Sequence, residues 1–204
     1  MRHIQRYLPL LCLTALVAPM ARAQSSFDVE IGGGTVHSKS TTVDFGSIGV
    51  FRSGSLGGFF LGFGGNLMLF KHLGFGIEAK LQPHKPEYAE IFRARTTLWD
   101  FNAIYQPIAT KKVDVQLQGG LGGVNTRLYD NSSACTQFCS GSSQFLVSSN
   151  HFQLHAGVGI QVFLTDHVYV KPQLDVHYVP KFNEYGSNFV PGAMVWVGYS
   201  FGDR

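Results

Sequence analysis

The chain has 204 residues, 24 of them Gly and 17 Phe, with 45% hydrophobic and 14% charged residues and a formal net charge of +3. So few charges beside so many aromatics exclude a disordered, solvating chain, and this much Gly without a collagen period points to close backbone contacts. Arg2, Arg6 and Arg22 all precede residue 24 and no acid does, so the rest of the chain balances its charges and the positive excess gives no ground for nucleic-acid binding.

The N-terminus reads as a targeting segment. Arg2 and Arg6 precede the short apolar run "YLPLLCLTALVA", and "ARA" at 21–23 is an A-x-A site. This predicts a signal peptide over 1–23, cleaved between Ala23 and Gln24, and a single domain over 24–204. The run is too short to cross a bilayer as a helix, and no later segment supplies about 20 continuous apolar residues.

From Phe27 onward the hydrophobic period is two. Phe27, Val29 and Ile31 oppose Asp28, Glu30 and Gly32. Phe59, Leu61, Phe63, Leu67 and Leu69 oppose Gly58, Gly62, Gly64 and Asn66, with Phe60 and Met68 intruding on the polar side. After Lys71-His72, Leu73, Phe75, Ile77, Ala79 and Leu81 oppose Gly74, Gly76, Glu78 and Lys80. Trp99, Phe101, Ala103 and Tyr105 oppose Asp100, Asn102 and Gln106; Val113, Val115, Leu117 and Leu121 oppose Asp114, Gln116 and Gln118. The pattern is cleanest from Phe152 to Leu164, against Gln153, His155 and Gln161. It continues with Val168 to Tyr178 against Lys171, Gln173, Asp175 and His177. It ends with Ala193 to Phe201 against Met194, Gly198 and Ser200, where Trp196 is an exception.

These are eight strands, each long enough to cross a bilayer when tilted. Short connections at Lys71-His72, 109–112 and 165–167 alternate with long ones at 38–56, 83–90, 129–150 and 180–188. That alternation marks a transmembrane barrel. A soluble barrel would turn its apolar face inward. Here the apolar side chains are too many and too large for an eight-stranded interior, and the glycines lie on the polar face, where a crowded lumen needs space. The fold class is therefore all-β: an up-and-down, antiparallel, eight-stranded transmembrane β-barrel after a cleaved signal peptide.

The late hairpin "GVGIQVFLTDHVYVKPQLDVHYV" and the final strand "VWVGYSF" resemble the small eight-stranded outer-membrane barrels of the OmpX and OmpA-transmembrane type, the outer membrane protein beta-barrel domain family. The resemblance implies a bacterial outer-membrane location with periplasmic termini and extracellular long loops. It also implies a lipid-embedded monomer and recognition by the barrel-assembly machinery through the strand ending at Phe201, although Gly202-Asp203-Arg204 follow that residue.

The lumen face carries a polar network that includes Glu78, Lys80, Asp114, His155, Lys171, Asp175 and His177. Buried charges must pair, so the residues read as a structural plug; the alternative is a conduction path. A three-residue turn over 165–167 puts His155 opposite His177 with Asp175 two positions away, a weak metal constellation without a third firm ligand. No metal, cofactor or catalytic residue is assigned. Cys135 and Cys139, the only cysteines after Cys12, are spaced for a loop disulfide in an exported protein. The leading functional reading is non-enzymatic: a structural, envelope-integrity or surface-interaction role. The alternatives are a lipid A-modifying barrel enzyme, against which Ser187 in "YGSNF" lacks an adjacent His, and a small passive pore.

Overall fold

The computed structural model describes residues 26–39, 42–44, 50–52, 55–89, 92–130 and 145–202. The signal segment and its cleavage site at Ala23 and Gln24 lie outside the described residues, as do Cys135 and Cys139.

Eight long strands form the wall: β1 (Ser26–Val36), β4 (Phe59–Met68), β5 (Leu73–Leu81), β7 (Phe92–Ala109), β8 (Val113–Asp130), β9 (Phe145–Phe163), β10 (Val168–Tyr178) and β11 (Phe189–Phe201). Each pairs antiparallel with its neighbours in the order β5-β4-β1-β11-β10-β9-β8-β7, and β7 returns to pair with β5. The ring is thus closed, with β1 and β11 in register from Phe27↔Phe201 to Val36↔Gly192. Closure leaves no edge within the belt, where an unpaired backbone group in lipid would cost several kcal/mol. Three short strands sit outside the ring: β2 (Thr42–Asp44) pairs with β3 (Val50–Arg52), and β6 (Glu87–Ala89) pairs with β7.

The polarity is inverted relative to a soluble barrel. Lys80 and Lys171 are 0% exposed, whereas Phe75 is 60% and Leu174 63% exposed. That contrast decides which face meets hydrocarbon. The short turns at 69–72, 110–112 and 164–167 share one end, and the longer connections share the other.

Two expectations need correction. The stretch from Tyr129 to Asn150 is not all loop: β8 runs to Asp130 and β9 starts at Phe145, so β7 and β8, 18 residues each, and β9, 19 residues, outreach the rest of the wall. Polar residues such as Thr126 and Asn125 continue the pairing there without the apolar alternation that identifies a membrane strand. The stretch 83–90 likewise contains β6. The β7–β8 ladder shifts register between Tyr105 and Ile108, and the β8–β9 ladder between Leu128 and Tyr129. The β9–β10 ladder skips from Val170↔Val162 to Gln173↔Gly159, and Pro172 in that gap has no N–H to give.

Candidate functional site: the sealed lumen

The inward faces of six strands fill the lumen with two polar groups. Lys80 on β5 reaches across the lumen to Asp175 on β10, with Nζ 2.7 Å from Oδ2 and 3.4 Å from Glu78 Oε2. These strands stand four places apart in a ring of eight, so the pair ties opposite walls together. The Gln118 and Gln173 amides donate to Glu78 Oε1 at 2.8 and 3.1 Å, and Gln173 Nε2 lies 2.8 Å from Asp175 Oδ1. Gln153 donates to Asp100 Oδ1 at 2.6 Å. Nearer the short turns, Lys171 Nζ meets Glu30 Oε1 at 2.8 Å, and the Tyr169 hydroxyl donates to Glu30 Oε2 at 3.0 Å.

The anticipated register places His155 opposite His177, and the rings stack with centroids 4.6 Å apart. His155 faces oxygens at both ring nitrogens, Asn102 Oδ1 at 2.8 Å and Asp175 Oδ1 at 3.0 Å. His177 Nε2 lies 3.3 Å from Lys80 Nζ, and its Nδ1 lies 3.8 Å from Asp100 Oδ2. Among the described residues, the side chains able to hold a metal are Asp100, His155 and His177, or Glu78, His155 and Asp175. The ammonium of Lys80 already sits among them as the local cation, a chemistry that suits a charge-balanced plug better than a divalent site.

Of the residues assigned to the network from the sequence, Glu78, Lys80, His155, Asp175 and His177 meet directly, and Lys171 joins Glu30 in a second group. Asp114 is also buried, but its Oδ1 accepts the Thr110 N–H at 2.9 Å and so shapes the β7–β8 turn. Tyr169 and Trp196 also fill the lumen, which the hydrophobic alternation does not mark. Both are 0% exposed. Register against glycine is the signal that identifies them: Tyr169 pairs with Gly198, and Trp196 with Gly32.

At the long-loop end the lumen turns apolar. Phe60, Leu98, Val124, Phe182, Tyr185 and Val190 close over the polar cluster. Phe60, an intruder in the alternation, is part of this plug. A short 3-10 helix, Asn183–Tyr185, drives Tyr185 inward. Its hydroxyl lies 3.0 Å from Thr96 Oγ1, while Ser38 Oγ donates to its carbonyl at 3.1 Å. Tyr88 packs edge-on against Tyr185 and donates to Glu184 O at 2.6 Å. Burial pushes the Tyr185 phenol up to about 12 and raises that of Tyr88 further. Ser187 uses its hydroxyl locally, donating to Phe189 O at 2.9 Å.

The description "Outer membrane protein beta-barrel domain" matches residues 8–201, nearly the whole chain. The chain belongs to this family. No curated protein sequence matches it. Among solved structures, the family barrel is similar to Ail, the attachment invasion locus protein of Yersinia pestis, at 13% identity and a TM-score of 0.51, covering 87% of this chain and 99% of that one. It is similar to Neisserial surface protein A at 16% identity and 0.54, covering 86% and 96%. It is also similar to a major outer membrane protein from Thermus thermophilus at 12% and 0.61, covering 87% and 99%. At such identities the likeness speaks to fold. Together with the inverted polarity, family membership makes this an outer-membrane β-barrel of the OmpX-like kind.

Proposed function

We propose that the protein is a non-catalytic outer-membrane barrel with a structural, envelope-integrity or surface-interaction role, and that it neither conducts nor carries a metal or cofactor. The observation that carries this reading is the filled lumen. The Lys80–Asp175 tie spans it, and the plug around Phe60 and Tyr185 covers it. Such an interior supports a rigid wall rather than a path, since an eight-stranded barrel has little more than side-chain volume inside. In this reading residues 1–23 are removed at Ala23–Gln24 and 24–204 form the barrel. The termini are periplasmic, the long loops extracellular, and the molecule is a monomer in outer-membrane lipid. The barrel-assembly machinery engages the strand ending at Phe201, whose ring stacks on Phe27 at 6.1 Å. Cys135 and Cys139 form a disulfide in the longest late loop.

Single-channel recording in a planar bilayer tests the central point: the purified barrel should give no discrete conductance steps, and regular steps would make it a pore. Intact mass of the exported protein should correspond to a chain starting at Gln24 and fall by two hydrogens relative to the reduced form. Protease shaving of intact cells should cut only in the long connections; cuts in the short turns would reverse the orientation. Lipid A whose mass spectrum depends on this protein would favour the enzymatic alternative.

A further inference from the structure

Above the apolar belt, the outward face of β7 and β8 changes character within two residues. Trp99 lies on the lipid side, packed over Gly123. Beyond it on the same face come Thr97, Arg95 and Arg93 on β7, and Asn125 and Arg127 on β8. Arg95 and Arg127 are direct cross-strand partners. Like charges placed opposite each other repel, and among the described residues neither has a carboxylate partner. Arg93 stands opposite Glu87, so the face keeps an excess of positive charge.

Neutral acceptors hold both guanidiniums in place. Arg95 donates from Nε to Gln82 O at 3.0 Å and from Nη2 to Pro83 O at 3.1 Å. Arg127 Nε donates to Asn125 Oδ1 at 3.1 Å, and Asn125 Nδ2 in turn donates to Asn150 Oδ1 at 2.7 Å. Each fork is oriented while its remaining N–H groups stay available. Planar forks of this kind suit phosphate oxygens.

Height selects the source of the phosphate. Arg95 is four residues beyond Trp99, roughly 10 Å along the membrane normal for a tilted strand. An indole marks the interface, so the pair sits at headgroup depth on the lipid-facing wall and not at the loop tips. We infer that Arg95 and Arg127, flanked by Arg93, bind the phosphate groups of a phosphorylated glycolipid in the outer leaflet. This rests on the proposed orientation, with the long strands facing out; protease shaving tests that orientation without reference to lipid.

The experiment uses the full folded barrel in detergent micelles and counts bound ligand by native mass spectrometry. The probes are bisphosphorylated lipid A, the same lipid after enzymatic removal of its phosphates, phosphatidylglycerol, inorganic pyrophosphate and sucrose octasulfate. The expected result is retention of bisphosphorylated lipid A, at least tenfold weaker retention of the dephosphorylated form and of phosphatidylglycerol, and comparable loss in the R95Q/R127Q double variant. A heat-dependent gel shift confirms that the variant is folded; should it not fold, the dephosphorylated arm on the unmodified barrel decides. Equal retention with and without phosphates, or in the folded double variant, overturns the inference. Pyrophosphate bound as tightly as the lipid would reassign the site to free phosphate, and sucrose octasulfate bound in preference to the lipid would reassign it to a soluble polyanion. Either result overturns the glycolipid assignment.

Discussion

Lys80 shows how one side chain can organise the interior. Its ammonium is 0% exposed and meets Asp175, Glu78 and the His177 ring. Removing one partner of a buried pair leaves the other charge uncompensated, at about 3–5 kcal/mol. Lys80→Met should therefore lower the urea midpoint of the detergent-folded barrel markedly, and adding Asp175→Asn should recover part of the loss. Tyr185 makes a different prediction. Burial raises its pKa to about 12, so the folded state keeps the phenol neutral where an unfolded tyrosine, near 10, ionises. The stabilisation is complete below about pH 10 and is lost as pH rises toward the folded value. Absorbance of tyrosinate should show a late-titrating group that Tyr185→Phe removes, and the plug should loosen only at the alkaline end of the scan.

At the scale of the strand, glycine sets how large its neighbours can be. Gly62 pairs with Lys80 and Gly64 with Glu78, but the occupants of the space beside these glycines are not those β5 partners. A Cβ on Gly62 would lie 2.5 Å from the Trp196 ring, and one on Gly64 2.8 Å from the Glu30 carboxylate. Side chains lean along the strand and across the lumen, so register alone does not say who fills a gap. Gly62→Ala should destabilise by about 1–3 kcal/mol through overpacking, and Trp196→Leu in the same chain should relieve most of it. The fraction of heat-shifted barrel on a gel reads both. At the last strand, Phe201→Ser should reduce the assembled fraction recovered from outer membranes severalfold, if the aromatic end is the recognition feature.

At the scale of the molecule, the three long strands β7, β8 and β9 give the barrel an asymmetric rim at the long-connection end, and the apolar plug closes that rim over the polar lumen. A double variant, Phe60→Ala with Tyr185→Ala, opens the plug but leaves the Lys80–Asp175 tie. It should remain silent in a planar bilayer, because the polar cluster still fills the bore. Steady conductance from that variant would mean that the plug, not the network, is the barrier.

The amino-acid sequence by itself determined the class of this protein. Period two repeated through eight segments, polar on the glycine-bearing face, leaves a closed barrel in lipid as the solution that satisfies every backbone group. It also determined the His155–His177 register, because matching faces across a three-residue turn over 165–167 fix that pairing. Only the tertiary structure decided which inward side chains meet. Lys80 and Asp175 are 95 residues apart and on opposite walls, and no local spacing encodes a distance across a bore. The plug was illegible for the same reason. Phe60 breaks the alternation of its own strand, and Tyr185 lies in a loop; each makes sense only once the rim brings them over the same opening. The "GGFFLGFGGNLMLF" stretch shows both halves of this. Its alternation identified a strand, and Trp196, from a strand two places away in the ring, supplied the reason for Gly62.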